Sequence, residues 1–381
     1  MDSICLRILQ GIMNERDAYI ALNMMQGVGP VTVRKMAEHL GSVAAIFEGS
    51  DADLKALRGC GTDKIASVLK LRGSVDPVLE QDKADKLGAR IVTFIDPEYP
   101  ELLKTIHDPP LALYVQGTFE TSDRHSIAVV GTRHATHYGM ETAKRLSREL
   151  TVAGYTVISG LALGVDTSAH QAALDAKGRT IAVIGGSLDN LYPPENAGLA
   201  KKIACSGAVV SEFPLGRKPD RTTFPMRNRI VSGMTVGTLV IEAGRNSGAL
   251  ITANQAAEQG RQVFAVPGRV DSPNSMGCHR LLKDGAKLVE SVDDILAEFE
   301  FLLRPAGKRD VAAELPMPKL SDEEKRIVEA LSTGDGEIDV LIRSTGMSSA
   351  AVGSLLVGLE MKRMVKMRPG RIVELVNRSL N

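Results

Sequence analysis

The sequence predicts an α/β protein whose main domain is a doubly wound, mostly parallel sheet, preceded by a helical domain and followed by a winged helix. Three observations lead there. Between residues 126 and 266, short apolar runs rich in β-branched residues alternate strictly with helical patterns. Those runs are continuously apolar, as strands covered on both faces must be. On either side the texture changes, to glycine-punctuated short helices before about residue 86 and to a proline-bearing linker after about residue 302.

Residues 1–85 read as a helical domain. LNMMQGVGPVTVRKMAEHLGS and FEGSDADLKALRGCGTDKIASVLKLRG each place apolar residues at helical spacing around a small glycine turn, GVGP at 27–30 and GCG at 59–61. Such a turn between helices is SAM-like or helix-hairpin-helix-like, and the second kind offers backbone N–H groups to a phosphate; a plain bundle turning its corners with glycine fits as well. The main domain spans 86–302. ARIVTFI (89–95) and LALYVQG (111–117) extend a sheet whose parallel strands are SIAVV (126–130), YTVIS (155–159), TIAVI (180–184), GAVVS (207–211), GTLVI (237–241) and QVFAV (262–266). The stretches between them, from YGMETAKRLSRELTVAG to GALITANQAAEQG, are helical in pattern. Residues 303–320 read as the linker and 321–381 as three helices and a β-wing with an RPG turn, opened by a capping box of Ser321 with Glu324. The last of these helices carries charge only near its end, at Glu360, Lys362 and Arg363, which suits protein contact or packing better than reading a major groove.

Composition narrows the function. With 46 basic and 46 acidic residues the chain is neutral, so any nucleic-acid binding must come from a local patch. No run of about 18 apolar residues is present, and the N-terminus lacks a basic leader and a small-residue cleavage site; a cytoplasmic protein with no membrane association is expected. Cys5, Cys60, Cys205 and Cys278 are scattered, with no CxxC spacing or paired histidines, so neither zinc nor a disulfide framework is expected. His134 and His137 lack carboxylate companions for a metal and suit phosphate contact better. Neither GxGxxG after the first parallel strand nor GxxxxGK[ST] occurs, which removes support for NAD and for ATP hydrolysis; no cofactor is expected.

Ligands of open parallel sheets bind beyond the carboxyl ends of the strands. The loops there read GTRHATHYG, SGLALGVD, GGSLDNLYP, EFPLGRKPDRTTFPMRNR and EAGRNSG, all carrying glycine and most of them arginine or a small hydroxyl residue, a set suited to phosphates. The fourth holds RTTFPMRNR (221–229), with three arginines and a phenylalanine in a neutral chain. Phe224, read as a loop residue, offers a stacking face beside the phosphate clamp of Arg221, or else plugs the core. Glu242 at the crevice is either a general base or the partner of a nearby arginine, and Arg229 is the expected structural partner, since an unpaired buried charge is costly. Asp166 with His170 could form an acid–base pair, but an N-cap role suits Asp166 better. No catalytic residue is assigned.

At these residues the chain resembles the DNA-processing protein A (DprA, or Smf) family of bacteria. The likeness runs in order through IAVVGTRHATHYG, SGLALGVDTSAHQAAL, TIAVIGGSLDNLYPPEN, VVSEFPLG, FPMRNRIVSGM, VIEAGRNSGALITANQAAEQGRQVFAVPG and LLKDGA, over about 95–295. It implies a Rossmann-like main domain that dimerises, and a non-catalytic protein that binds and protects single-stranded DNA and loads the RecA recombinase during natural transformation. Carried over residue by residue, the DNA contacts are Arg133, Arg221 and Phe224, with Ser159, Gly160, Gly185, Gly186, Arg227 and Asn228 on the same edge. Many members have lysine where Arg221 stands, and GxGLD is frequent where this chain has GGSLD. Two other classes compete. Related Rossmann-like proteins hydrolyse nucleotide N-glycosidic bonds through a PGGxGTxxE-like loop; here the loop is EAGRNSGALITA, so Glu242 would have to supply the acid. A winged-helix regulator of duplex DNA is the third.

Overall fold

A computed structural model describes residues 13–303, 320–333, 336–362, 364–368 and 372–375. The chain divides into two compact units, one up to residue 304 and one from 305 onward.

Among the described residues of the first unit, six helices come first: α1 (Glu15–Met24), α2 (Pro30–Leu40), α3 (Ala45–Glu48), α4 (Asp51–Ala56), α5 (Thr62–Leu71) and α6 (Pro77–Lys86). Their starts follow local chemistry. Asn14 accepts from the Asp17 amide, Pro30 and Pro77 sit at first helical positions, and Ser50 with Asp53 forms a capping box. The helices at 15–24 and 77–86 pack directly on the sheet. Ile20 and Ala84 share a core cluster with Ile91, Tyr114 and Val209, and Arg16 donates to the Ile91 carbonyl at 2.6 Å. Buried Glu80 accepts from the Tyr114 hydroxyl at 3.0 Å and the Leu215 amide at 2.8 Å. The boundary expected at residue 85 is therefore no break in packing.

The sheet has nine strands: β1 (Arg90–Thr93), β2 (Ala112–Gly117), β3 (Ser126–Val130), β4 (Thr156–Ser159), β5 (Thr180–Val183), β6 (Ala208–Ser211), β7 (Gly237–Val240), β8 (Gln262–Ala265) and β9 (Lys287–Leu288). Their order is β1-β2-β6-β5-β4-β3-β7-β8-β9. All pairs from β6 to β9 are parallel; β2 joins β6, and β1 joins β2, antiparallel. The doubly wound, mostly parallel sheet is as expected; the two-residue β9 is an addition. Between the strands lie α7 (Glu101–Lys104), α8 (His137–Val152), α9 (Val165–Asp175), α10 (Ala197–Ser206), α11 (Thr223–Gly233), α12 (Gly248–Glu258) and α13 (Met276–Lys283), with α14 (Asp293–Leu303) last. One face of the sheet is covered by Leu146 and Leu150 of α8 and Ala169 of α9 against Val129 and Leu239. The other is covered by Ile230 and Val231 of α11 and Ala253 of α12 against Ala128 and Ile158. From β3 the chain winds to β4, β5 and β6 on one side and from β7 to β8 and β9 on the other, so the order reverses between β3 and β7.

The second unit holds α15 (Asp322–Thr333), α16 (Ile338–Thr345), α17 (Ser349–Met361) and the antiparallel pair β10 (Val365–Arg368) and β11 (Ile372–Leu375), a winged-helix arrangement. Ser321 and Glu324 form the expected capping box. Lys362 contacts both carboxylate oxygens of Glu324 at 2.7 Å, which ties the end of α17 to the start of α15. The linker at 303–320, apart from its two ends, together with Cys5, Arg363 and most of the RPG turn, lies outside the described residues. No single helix among the described residues is long and apolar enough to cross a membrane.

Candidate nucleic-acid interface

The loops after β3, β4 and β7 converge on a cleft of about 460 Å³ at the point where the strand order reverses, the position expected of a ligand site in an open α/β sheet. One wall is α11. It begins at Thr223 rather than after Phe224, with Pro225 tolerated in its first turn. Phe224 is thus a helix residue, a correction to the loop placement. Phe224, Arg227, Asn228 and Val231, spaced at three, four and seven residues, all line the cleft, as one helical face must. The opposite wall is the GTR loop and the start of α12.

Arg133 is exposed and its guanidinium lies over the Phe224 ring, 5.0 Å from the centroid, within cation–π range. Tyr192 packs against the same ring at 5.9 Å, tilted by 51°. Phe224 is half-buried, and Gly185 lies against its edge so closely that an added Cβ would sit 2.7 Å from Cδ1. Arg221 is exposed at the cleft with no ion pair among the described residues. Arg133, Phe224 and Tyr192 make a cationic aromatic platform, with the guanidinium of Arg221 on the same cleft.

The other expected contacts are placed differently. Arg227 is buried and donates through Nη1 to the carbonyls of Gly160 and Val183, so it ties α11 to the ends of β4 and β5. Burial pulls its guanidinium down to about 10, reinforced by the charge of Arg133 and opposed by that of Asp166. Gly160 leaves room for that contact, because a Cβ there would press on the Arg227 guanidinium. Its amide is also occupied, donating to Asp166 Oδ2 at 3.1 Å. Ser159 is fully buried and donates to the Val129 carbonyl at 2.6 Å. Gly186 accepts from the Ser211 hydroxyl at 2.7 Å and faces Pro219. Ser159, Gly185 and Gly186 therefore lie behind the cleft wall and support it. Asn228 bridges the walls, accepting from Arg227 Nε at 3.1 Å and donating to the Gly248 carbonyl at 3.4 Å.

The expected pairing of Arg229 with Glu242 is overturned. Arg229 is buried and its Nε meets Asp108 at 2.9 Å, while Nη2 donates to Glu212. Glu242 is buried elsewhere: its carboxylate accepts from the Thr136 amide at 2.9 Å and hydroxyl at 2.6 Å. A carboxylate at the Thr136-capped start of α8 is favoured by the helix dipole. Glu242 thereby fixes the GTR loop, and its backbone carbonyl accepts from the Thr132 amide at 2.8 Å. The N-cap reading of Asp166 is also corrected. Gly164 occupies the cap, and Asp166 reaches back to the amides of Gly160 and Ala162. His170 is fully buried on Thr180 at 2.7 Å, and desolvation, aided by Arg227, holds it down at about 3. Neutral at physiological pH, it forms no acid–base pair with Asp166. Sequence reasoning did not single out Ser247 and Gly248 as site residues, although they start α12 and line the cleft; the cap signal of serine before an apolar run was present. Among the described residues no cluster of three or more His, Cys, Asp or Glu is placed to hold a metal.

The fold and site define a Rossmann-like α/β protein with an arginine-lined cleft at its switch point, and the second unit of the chain is a winged helix. Comparison with known proteins agrees. The family described as DNA recombination-mediator protein A matches residues 90–300, and the DprA winged helix domain matches 311–371. Protein Smf of Synechocystis is 32% identical over 392 residues, covering 94% of this chain and 98% of that protein. DNA processing protein DprA of Bacillus subtilis is 43% identical over 212 residues, covering 55% of this chain and 71% of that one. The structure of DNA processing protein A from Streptococcus pneumoniae superposes with a TM-score of 0.67 at 36% identity, covering 76% of this chain and all of the other. That of Helicobacter pylori, solved for its single-stranded DNA binding mode, gives 0.50 at 30% identity, covering 55% and 96%. The chain belongs to the DprA/Smf family.

Proposed function

We propose that the cleft binds single-stranded DNA, and that the protein protects the strand and delivers it to RecA during transformation and homologous recombination, acting as a cytoplasmic homodimer. The observation that carries the DNA reading is the Arg133–Phe224 platform beside Arg221, at the switch point of the sheet. A base stacks on the platform and the guanidinia take the flanking phosphates, an arrangement indifferent to sequence. The single-strand binding of the Helicobacter pylori relative supports this reading. RecA delivery and dimerisation rest on the family alone.

The geometry favours binding over hydrolysis. Both oxygens of Glu242 are engaged by Thr136 and the residue does not line the cleft, so a general base would have to come from elsewhere. A competition assay of single-stranded against duplex DNA at two salt concentrations tests the proposal. Single strands should win at both, with log affinity falling against log salt by about 0.7 per phosphate contacted. Preference for duplex, or release of base from nucleoside monophosphates, would overturn it. RecA delivery is read separately, as faster RecA filament growth on single strands in the presence of the protein.

A further inference from the structure

Helix α11 has two working faces. Phe224, Arg227 and Asn228 look into the cleft, whereas Met226 and Arg229 look the other way, into a larger groove of about 1250 Å³. Pro225 lines both, so a single helical turn forms the ridge between them. The far wall of the groove is the GVGP turn that joins α1 and α2. Among the described residues the amides of Gly27, Gly29 and Val31 find no backbone or side-chain acceptor, and Gly27 is exposed. Lys64 and Lys218 at the rim are exposed and without ion pairs among the described residues.

A turn of free amides is not in itself a site. The groove adds a second observation in its floor. Arg229 and Glu212, with side chains 7% and 9% exposed, each leave one polar atom, Nη1 and Oε2, without a partner among the described residues, as does Gln255 with Oε1. The floor is thus polar and under-satisfied, the rim is cationic, and exposed Met226 provides an apolar shelf on the ridge. These are the features of a second stretch of nucleic-acid track: amides and lysines for phosphates, an apolar shelf for a sugar or base, and buried hydrogen-bonding groups for a base edge.

We propose that this groove is a second single-strand subsite, and that a strand leaving the cleft crosses the first turn of α11 and lays its next phosphates on the GVGP turn, Lys64 and Lys218. A helix with its side chains is about 10–12 Å across, so the crossing needs only about two extended nucleotides. The inference rests on the cleft's binding single strands, and the experiment separates the two. Fluorescence anisotropy with the full chain compares oligothymidines of about 6 and about 18 nucleotides, lengths within and beyond a single binding module. Lys64→Ala/Lys218→Ala should leave the short oligomer unchanged and weaken the long one roughly 25-fold at 0.1 M salt, the salt slope falling by about 1.4 for two lost phosphates. The cleft variant Phe224→Ala should weaken both. If the lysine variant binds the long oligomer as the parent does while Phe224→Ala fails, the groove holds no DNA and the cleft reading stands. If Phe224→Ala binds both like the parent, the cleft reading falls first.

Discussion

Gly185→Ala tests the site through a residue that carries no charge and does not line the cleft. Its Cβ would sit 2.7 Å from Cδ1 and 3.1 Å from Cε1 of Phe224. The first is closer than a real Cβ contact comes and the second is tight, so the ring must yield, because Gly185 itself is buried at the end of β5. Tilting the ring breaks its register with Arg133 and Tyr192. Stacking contributes about 1–3 kcal/mol per base, so affinity for oligothymidine should fall about fivefold to 150-fold. Overpacking should lower stability by about 1–3 kcal/mol as well. Anisotropy titrations beside thermal melts separate the two effects. The informative comparison is with Phe224→Ala: once the ring is gone the added methyl has room, and Gly185→Ala should cost nothing further. If the two losses add, the added methyl acts independently of the ring, and the role of Gly185 as the seat of Phe224 is wrong.

Two predictions concern the supporting structure. Arg229→Ala should destabilise the fold by about 3–5 kcal/mol, because the Glu212 carboxylate is left buried and alone. In double-mutant cycles Arg229 should couple to Glu212 by more than about 0.5 kcal/mol and to Glu242 by less than that, as urea denaturation can resolve; strong coupling to Glu242 would restore the discarded pairing. His170 is held at about 3, below the ordinary imidazole value. Its folded-state value is depressed, so it contributes no loss above about pH 6.5, and stability falls as pH drops through the window from about 6.5 toward 3 while the unfolded chain takes up the proton. The slope is at most about 1.4 kcal/mol per pH unit. His170→Gln should flatten urea midpoints across that window; an unchanged profile would mean the imidazole is not the group responsible.

The central strands were legible because each is an unbroken apolar run, and β3 through β8 fall within a residue of their expected limits. The antiparallel pairing of β2 with β6 was not legible, since a strand's sequence does not state its neighbour's direction. The two-residue β9 is too short to leave any pattern. The cleft loops were found by reading only the carboxyl ends of strands, and Arg133, Arg221 and Phe224 from those loops line one cleft. Gly185 and Gly186, expected on the DNA-contacting edge, stand behind the cleft wall, where they make room for Phe224 and Pro219. Arg229 departs from its expected pairing for another reason. A buried arginine needs a carboxylate, but Asp108, Glu212 and Glu242 all stand at sheet ends, and only the three-dimensional path of α11 chooses among them.

The most direct test of the single-strand reading is the affinity of Arg133→Ala/Phe224→Ala for oligothymidine, measured across a salt titration with melting curves alongside. Loss of one stacked base and one phosphate contact predicts weakening by about two orders of magnitude at 0.1 M salt, a slope reduced by about 0.7, and an intact cooperative melt. A folded double variant that binds single strands with the parent's affinity and slope would contradict the account.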